Sequence, residues 1–219
     1  LSNSWVISCG VGTDISFDIE LMQKYQTKTL FIDPTPEAIS HMNSVMNSLG
    51  SVKKESYNQH GKQNIASYNL SNLDINNFFL ENKAIYHTNN KNIKFYEPKN
   101  PDHVSHSISN WQNNYSDSTS FIEVTTVNLS SIIKKYSISN IEILKLDIEG
   151  AEYSVLKNMI KNKIYPNQIL VEFDELQTQR FTKYLRYFYL ILKLMNNYEL
   201  VHTKNYPNFL FVKRKITNL

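Results

Sequence analysis

Short apolar runs alternate with longer stretches of helical periodicity along most of this chain. The first run, Val6-Ile7, stops at Ser8-Cys9-Gly10-Val11-Gly12, after which Phe17, Leu21 and Tyr25 recur at helical spacing. The segment is therefore expected to be strand, glycine turn and helix. Thr29-Leu30-Phe31-Ile32 is a second apolar strand, ending in Asp33. Thr35-Pro36-Glu37 reads as a helix start, with Thr35 as cap and Pro36 in the first turn. Ile39, Met42, Met46 and Leu49 form the apolar face of that helix, and Gly50 ends it. The pattern further predicts a short strand at 52–57, a brief helix at 73–79 and a third central strand at 83–87. Strands at 121–126, 143–146 and 168–173 follow, with helices at 129–136 and from Glu152 through the face Val155, Leu156, Met159 and Ile160. A long stripe, Phe181, Leu185, Phe188, Leu192 and Met195, is expected to pack on the sheet, with Arg180, Lys183 and Arg186 off it. Docking on a membrane surface is the less favoured use of that stripe. Residues 198–202 and 208–213 alternate as a closing hairpin. Strand–helix alternation of this kind implies an α/β fold, Rossmann-like, with a mostly parallel seven-stranded sheet, a C-terminal antiparallel hairpin and helices on both faces.

The rhythm breaks between residues 88 and 120. Ile93-Lys-Phe-Tyr96 alternates like a hairpin strand, and the polar stretch from Glu97 to Ser107 carries Pro98 and Pro101. Unstructured loops of this length are usually functional or disordered. We read residues 1–219 as a single domain with a loop and hairpin insertion at about 88–120. Asp102 with His103 and His106 makes a thin case for a metal, because no further ligand is evident, and none is assigned. The loop is better suited to covering a ligand or shaping an acceptor pocket, with Trp111 and Tyr115 available to stack or to pack.

Charge and composition narrow the partners. A net charge of +3 with no Lys/Arg run gives no basis for a nucleic-acid partner. One cysteine, Cys9, excludes an intrachain disulfide and suits a reducing cytoplasm. No signal peptide or membrane-spanning segment is recognised, and the start at Leu1 rather than Met is consistent with trimming upstream.

The chemistry gathers at strand ends. Glycines at Gly10 and Gly12 allow positive φ and let a ligand lie against bare backbone, and the next helix offers its N-terminus to an anionic group. Asp33, 21 residues after Gly12, is placed to accept both hydroxyls of a ribose, with Thr35 beside it. Ile15 stands where a dinucleotide fingerprint needs its third glycine, and no Walker pattern occurs. S-adenosylmethionine suits the turn better: ribose on Asp33, methionine tail over Gly10 and Gly12, ammonium on Asp14. Asp147 ends the strand at 143–146, and Glu149 and Glu152 start the following helix. Glu152 is read as complementing the helix dipole. Lys145, among apolar neighbours, needs a carboxylate, for which Glu172 on the next strand is the candidate.

Four blocks resemble one branch of the FkbM-type methyltransferases. They are Gly10-Val-Gly-Thr-Asp-Ile-Ser-Phe-Asp18, Phe31-Ile-Asp-Pro-Thr-Pro36, Phe95-Tyr-x-Pro98 with Val104-Ser-His-Ser107, and Leu144-Lys-Leu-Asp-Ile-Glu-Gly-Ala-Glu-Tyr153. The resemblance implies a class I methyltransferase fold that uses S-adenosylmethionine, mostly for O-methylation of sugar, glycolipid or natural-product hydroxyls. By it Gly10, Gly12, Asp14 and Asp33 are cofactor positions, and Asp147 and Glu149 lie near the transferred methyl. After Val171-Glu-Phe173 the family pattern leads one to expect His, and this chain has Asp174. The expected mechanism is in-line methyl transfer to an acceptor oxygen, with Asp147 taking the proton, Glu149 raising its pKa, Glu172 in reserve and His106 reaching in from the loop. Two alternatives stay open: a catalytically inactive S-adenosylmethionine-binding subunit, and a nucleotide-cofactor oxidoreductase on a similar sheet.

Overall fold

Runs of β-branched and aromatic residues become strands, and the periodic stretches between them become helices. The computed structural model describes residues 4–58, 61–98, 106–110, 113, 116–178, 181–203 and 206–215. In chain order the elements are β1 (Trp5–Cys9), α1 (Ser16–Tyr25), β2 (Lys28–Ile32), α2 (Pro36–Asn47), β3 (Phe78–Glu81), β4 (Ala84–Ile85), β5 (Asn92–Tyr96) and β6 (Phe121–Val127). They continue as α3 (Leu129–Lys135), β7 (Ile141–Leu146), α4 (Glu152–Lys161), β8 (Gln168–Glu172), α5 (Phe181–Met195), β9 (Tyr198–His202) and β10 (Asn208–Lys213).

The main sheet has seven strands in the order β3-β2-β1-β7-β8-β10-β9, with β10 antiparallel to both neighbours. Its order reverses between β1 and β7, and a ligand crevice opens at the carboxyl ends of strands at such a switch point. Register brings the chemistry together there. Cys9 lies opposite both Ile32 and Leu146, so Gly10, Asp33 and Asp147 each come one residue beyond the last rung. Backbone bonds from Gly10 N to Ile32 O (3.0 Å) and from Asp147 N to Cys9 O (3.1 Å) carry the ladder to that rim.

Both faces of the sheet are covered. One apolar cluster joins Ile15, Ile19 and Met22 of α1 and Met42 and Val45 of α2 to Phe31 and Tyr68. The other joins Ile132 of α3, Val155, Leu156 and Met159 of α4, and Tyr187, Leu190 and Leu194 of α5 to Ile7, Leu144, Ile169 and Phe211. Beside the main sheet a small one, β4-β6-β5, packs Ala84, Phe95 and Val124 together, so the hairpin expected within 88–120 is β5 with β6.

Several expectations are corrected. Residues 52–57 form no strand: Val52 is exposed, and Lys54 N and Glu55 N both turn to the single carbonyl of Ala66. The helix expected at 73–79 shrinks to one 3₁₀ turn, Ile75–Asn77, capped by Asp74, whose Oδ1 accepts from Asn76 N. The chain then extends as β3, because Phe78 and Phe79 pack their rings on Phe31 and Trp5 across the sheet. The third strand beside β2 is thus β3, whereas 83–87 supplies only β4, parallel to β6. In α1 the inward face is Ile15, Ile19 and Met22, while Phe17 is 42% exposed. In α5 the inward face is Tyr187, Leu190 and Leu194, and the stripe that the sequence assigns to the core faces solvent. Helix α5 has a second apolar series, so there the period is correct and the phase is not.

Candidate active site

Gly10, Val11 and Gly12 turn the chain from β1 into α1, with φ of +72° at Gly10 and +51° at Gly12. The bare Cα of Gly10 has a packing reason beyond its φ. A Cβ there would lie 1.6 Å from the carbonyl oxygen of Asp147, so this turn seats directly on the one after β7.

Asp33 ties the two halves of the turn region together. Its Oδ2 accepts from Gly12 N (3.0 Å), and its Oδ1 accepts from Thr35 N (2.9 Å) and the Thr35 hydroxyl (2.7 Å). Thr35 occupies the N-cap of α2, as expected, yet its hydroxyl serves Asp33 rather than the helix. With three of about four acceptor positions of a carboxylate in use, Asp33 has room for one ribose hydroxyl rather than two.

Asp14 sits at the start of α1, its Oδ1 accepting from Ser16 N (2.9 Å) and its Oδ2 from Gln63 Nε2 (3.0 Å). Burial alone would raise this carboxyl, but those hydrogen bonds and the Lys145 charge hold it below the usual carboxylate range.

On the other side of the crevice Asp147 is pushed up by burial, eased by Lys145 and raised again by Asp33. Asp147, Glu149 and Asp174 each bring a carboxylate oxygen within 4.8 Å of the others, a group able to hold a metal ion. Carboxylates this close need protons or a cation between them. Protons are held deeper in. Glu152, 0% exposed, accepts from Ile148 N (3.2 Å) and Gly150 N (3.0 Å) through Oε1. Its Oε2 and the Oδ2 of Asp174 are reached by no bond of ordinary geometry among the described residues, and the two acid side chains interact with each other. Burial raises both carboxyls; the charge of Glu152 raises Asp174 further, while a hydrogen bond from Asp174 lowers Glu152, the pattern of two acids that hold one proton between them with Asp174 as its carrier. Glu152 is therefore a buried tie for the turn between β7 and α4, not a surface partner of the helix dipole.

That turn is strained. Glu149 has φ +52° and Gly150 φ +102°, and a non-glycine residue in the left-handed region costs on the order of 1–2 kcal/mol. Ser107 pins it, its hydroxyl lying 2.6 Å from the Glu149 carbonyl, while Ser107 also bridges to Tyr96. The chain leaving the long loop thus docks on the β7–α4 turn, which brings His106 to the same cavity.

The cavity measures about 420 Å³. Gly10, Gly12, Asp14, Asp33, Thr35, His106, Asp147 and Glu149 all line it, together with Phe95 and Ile85 of the small sheet. Glu172 does not line it. Register explains both this and the failure of the expected Lys145–Glu172 pair: Lys145 lies opposite Leu170, and Glu172, two residues on, comes level with Asp147. Glu172 forms no contact ion pair with Lys145 and is raised by burial and by Asp147, with Lys145 lowering it from a distance. Lys145 lines the cavity instead.

Sequence reasoning gave no role to Asp18, which is 1% exposed and lines the cavity with Lys145. No hydrogen bond of ordinary geometry reaches either oxygen among the described residues, and burial raises the carboxyl against the pull of Lys145 and of the nearby Ser8 hydroxyl. The signal was present: placing Ile15, Ile19 and Met22 inward on α1 also turns Asp18 inward. Asp102, His103, Trp111 and Tyr115 lie outside the described residues.

No curated protein and no solved structure matches this chain. A family model for the methyltransferase FkbM domain matches residues 7–200, spanning both turns, all of β2, β3, β7 and β8, and parts of β1 and β9. With the reversed strand order and the closing hairpin beside it, the match gives the conclusion plainly: the chain belongs to the FkbM methyltransferase domain family.

Proposed function

We propose that this methyltransferase domain uses S-adenosyl-L-methionine to methylate a hydroxyl oxygen of a sugar, glycolipid or natural product. The observation that carries the reading is the convergence of the glycine turn, Asp33 and Asp147 on one cavity at the switch point. The residues fit the cofactor. About 420 Å³ is within the range of small-molecule sites, roughly 300–1,000 Å³. Asp33 and Thr35 would hold the ribose, and the bare backbone at Gly10 and Gly12 would pass the methionine tail. Asp14, each oxygen already accepting one bond, retains capacity for the ammonium.

Bound there, S-adenosylmethionine supplies an electrophilic methyl whose transfer to oxygen leaves a neutral thioether. The chain's own part is alignment and proton removal. Walls from both sheets exclude water and hold the acceptor within about 3–3.5 Å, in line with the methyl. Asp147 takes the hydroxyl proton, and burial makes it a stronger base than an ordinary aspartate. The Lys145 charge works against that rise and favours the carboxylate form that can accept the proton. Glu149 and His106 would stand on the acceptor side; Asp33, rather than the expected Glu149, is the acid whose charge raises Asp147, and Asp147 in turn raises Glu172. Cys9, buried in β1 with its thiol pushed up, is inert packing and suits the reducing cytoplasm.

The test is transfer of labelled methyl from S-adenosylmethionine to a panel of sugar, glycolipid and natural-product hydroxyls. The expected product is a methyl ether. Asp147→Asn should lose about 10²-fold or more in turnover while its affinity for S-adenosylhomocysteine changes less than about threefold. Equal loss of both would make Asp147 a cofactor or folding residue.

A further inference from the structure

Helix α5 is apolar on two sides and the sheet covers one of them. Tyr187, Leu190 and Leu194 are buried, whereas Phe181 is 74% exposed, Phe188 61%, Leu185 54%, Leu192 46% and Met195 37%. A helix that is apolar all round is normally enclosed on every side. The exposed residues follow one another at intervals of 4, 3, 4 and 3, the narrow seam by which one helix packs along another.

We infer that this seam is a homodimer interface, α5 of one copy lying along α5 of a second about a two-fold axis near Phe188. Charge supports a second copy as the occupant. Thr182, Tyr184, Tyr189 and Ile191 flank the seam, so two identical faces meet without bringing like charges together. The helix cations have internal partners: Lys183 and Arg186 both pair with Glu175 away from the seam, and Lys193 lies over the ring of the flanking Tyr189. An anionic membrane would call for such cations beside the apolar stripe and free of internal partners. Size agrees as well. With Tyr184 and Tyr189, which are 39% and 58% exposed, the stripe offers roughly 700 Å² if a large side chain counts for about 200 Å². A standard interface buries about 800 Å² on each partner. The inference is independent of the methyl-transfer reading, because α5 contributes no residue to the cavity.

Whether the helices run parallel or antiparallel, the middle residue of the five meets its own copy. Phe188→Cys should therefore cross-link to a covalent dimer under mild oxidation, against a background in which Cys9, the chain's single cysteine, is fully buried. Sedimentation velocity between about 1 and 100 μM should give a wild-type dimer. The Leu185→Glu/Leu192→Glu variant should run as a monomer with unchanged far-ultraviolet dichroism and unchanged S-adenosylhomocysteine affinity. A wild-type monomer throughout that range would overturn the inference. So would a dimer that survives the double substitution, together with a Phe188→Cys variant that does not cross-link. A monomer that floats with anionic vesicles and loses that property in the double variant would assign the seam to membrane instead.

Discussion

At the scale of single residues, the site is governed by how many carboxylates the chain buries and what each is left to bind. Asp33 and Asp14 are occupied with backbone, hydroxyl and amide donors. Asp18, Asp147, Glu152 and Asp174 are raised by burial, and oxygens of Asp18, Glu152 and Asp174 lack a bond of ordinary geometry among the described residues. The Glu152–Asp174 pair has a consequence for stability. A carboxyl raised in the folded state binds its proton there at pH values where the unfolded chain, at about pH 4, has already lost it. Its contribution is complete below the unfolded pKa and declines as pH rises toward the folded one. Chemical denaturation should therefore show the wild type losing stability from about pH 4.5 upward, with Glu152→Gln flattening that slope. An unchanged slope in the variant would mean that the two acids do not share a proton.

At the scale of elements, the two turns at the rim form one unit, because Gly10 rests on the Asp147 carbonyl. Gly10→Ala adds a methyl where there is no space and keeps a left-handed φ. We expect a loss of about 3–5 kcal/mol in denaturant unfolding, together with loss of S-adenosylhomocysteine binding. A cost below about 1 kcal/mol would mean that the turns are not packed in this way. The elements themselves were largely readable in the sequence, because strand tips announce themselves: Asp33 and Asp147 follow apolar runs with no local need for a charge. Helix phase was less readable. Ile15-Ile19-Met22 and Phe17-Leu21-Tyr25 share one period, and only the docking of α1 on Phe31 decides between them. In α5 the larger aromatic series is by size the stronger core candidate, yet the sheet takes Tyr187, Leu190 and Leu194. The Lys145–Glu172 pairing failed for a similar reason, since inter-strand register is fixed by tertiary packing and not by sequence spacing. Phe78 and Phe79 were read as helical because the sequence does not reveal that Phe31 and Trp5 wait beside them.

At the scale of the whole molecule, the sheet order explains why residues far apart in sequence converge. Reversal between β1 and β7 puts the glycine turn beside the Asp147–Glu149 turn, and Ile85 and Phe95 of the small sheet line the cavity with His106. Among the described residues no helix is long and apolar enough to cross a membrane. The measurement that tests the central claim most directly is calorimetric titration of the purified protein with S-adenosylmethionine, S-adenosylhomocysteine and NAD, with Asp33→Ala as control. Micromolar binding of both sulfur ligands is expected, weaker by about tenfold or more in Asp33→Ala, with no binding of NAD. Binding of NAD alone, or sulfur-ligand binding that ignores the Asp33 substitution, would contradict it.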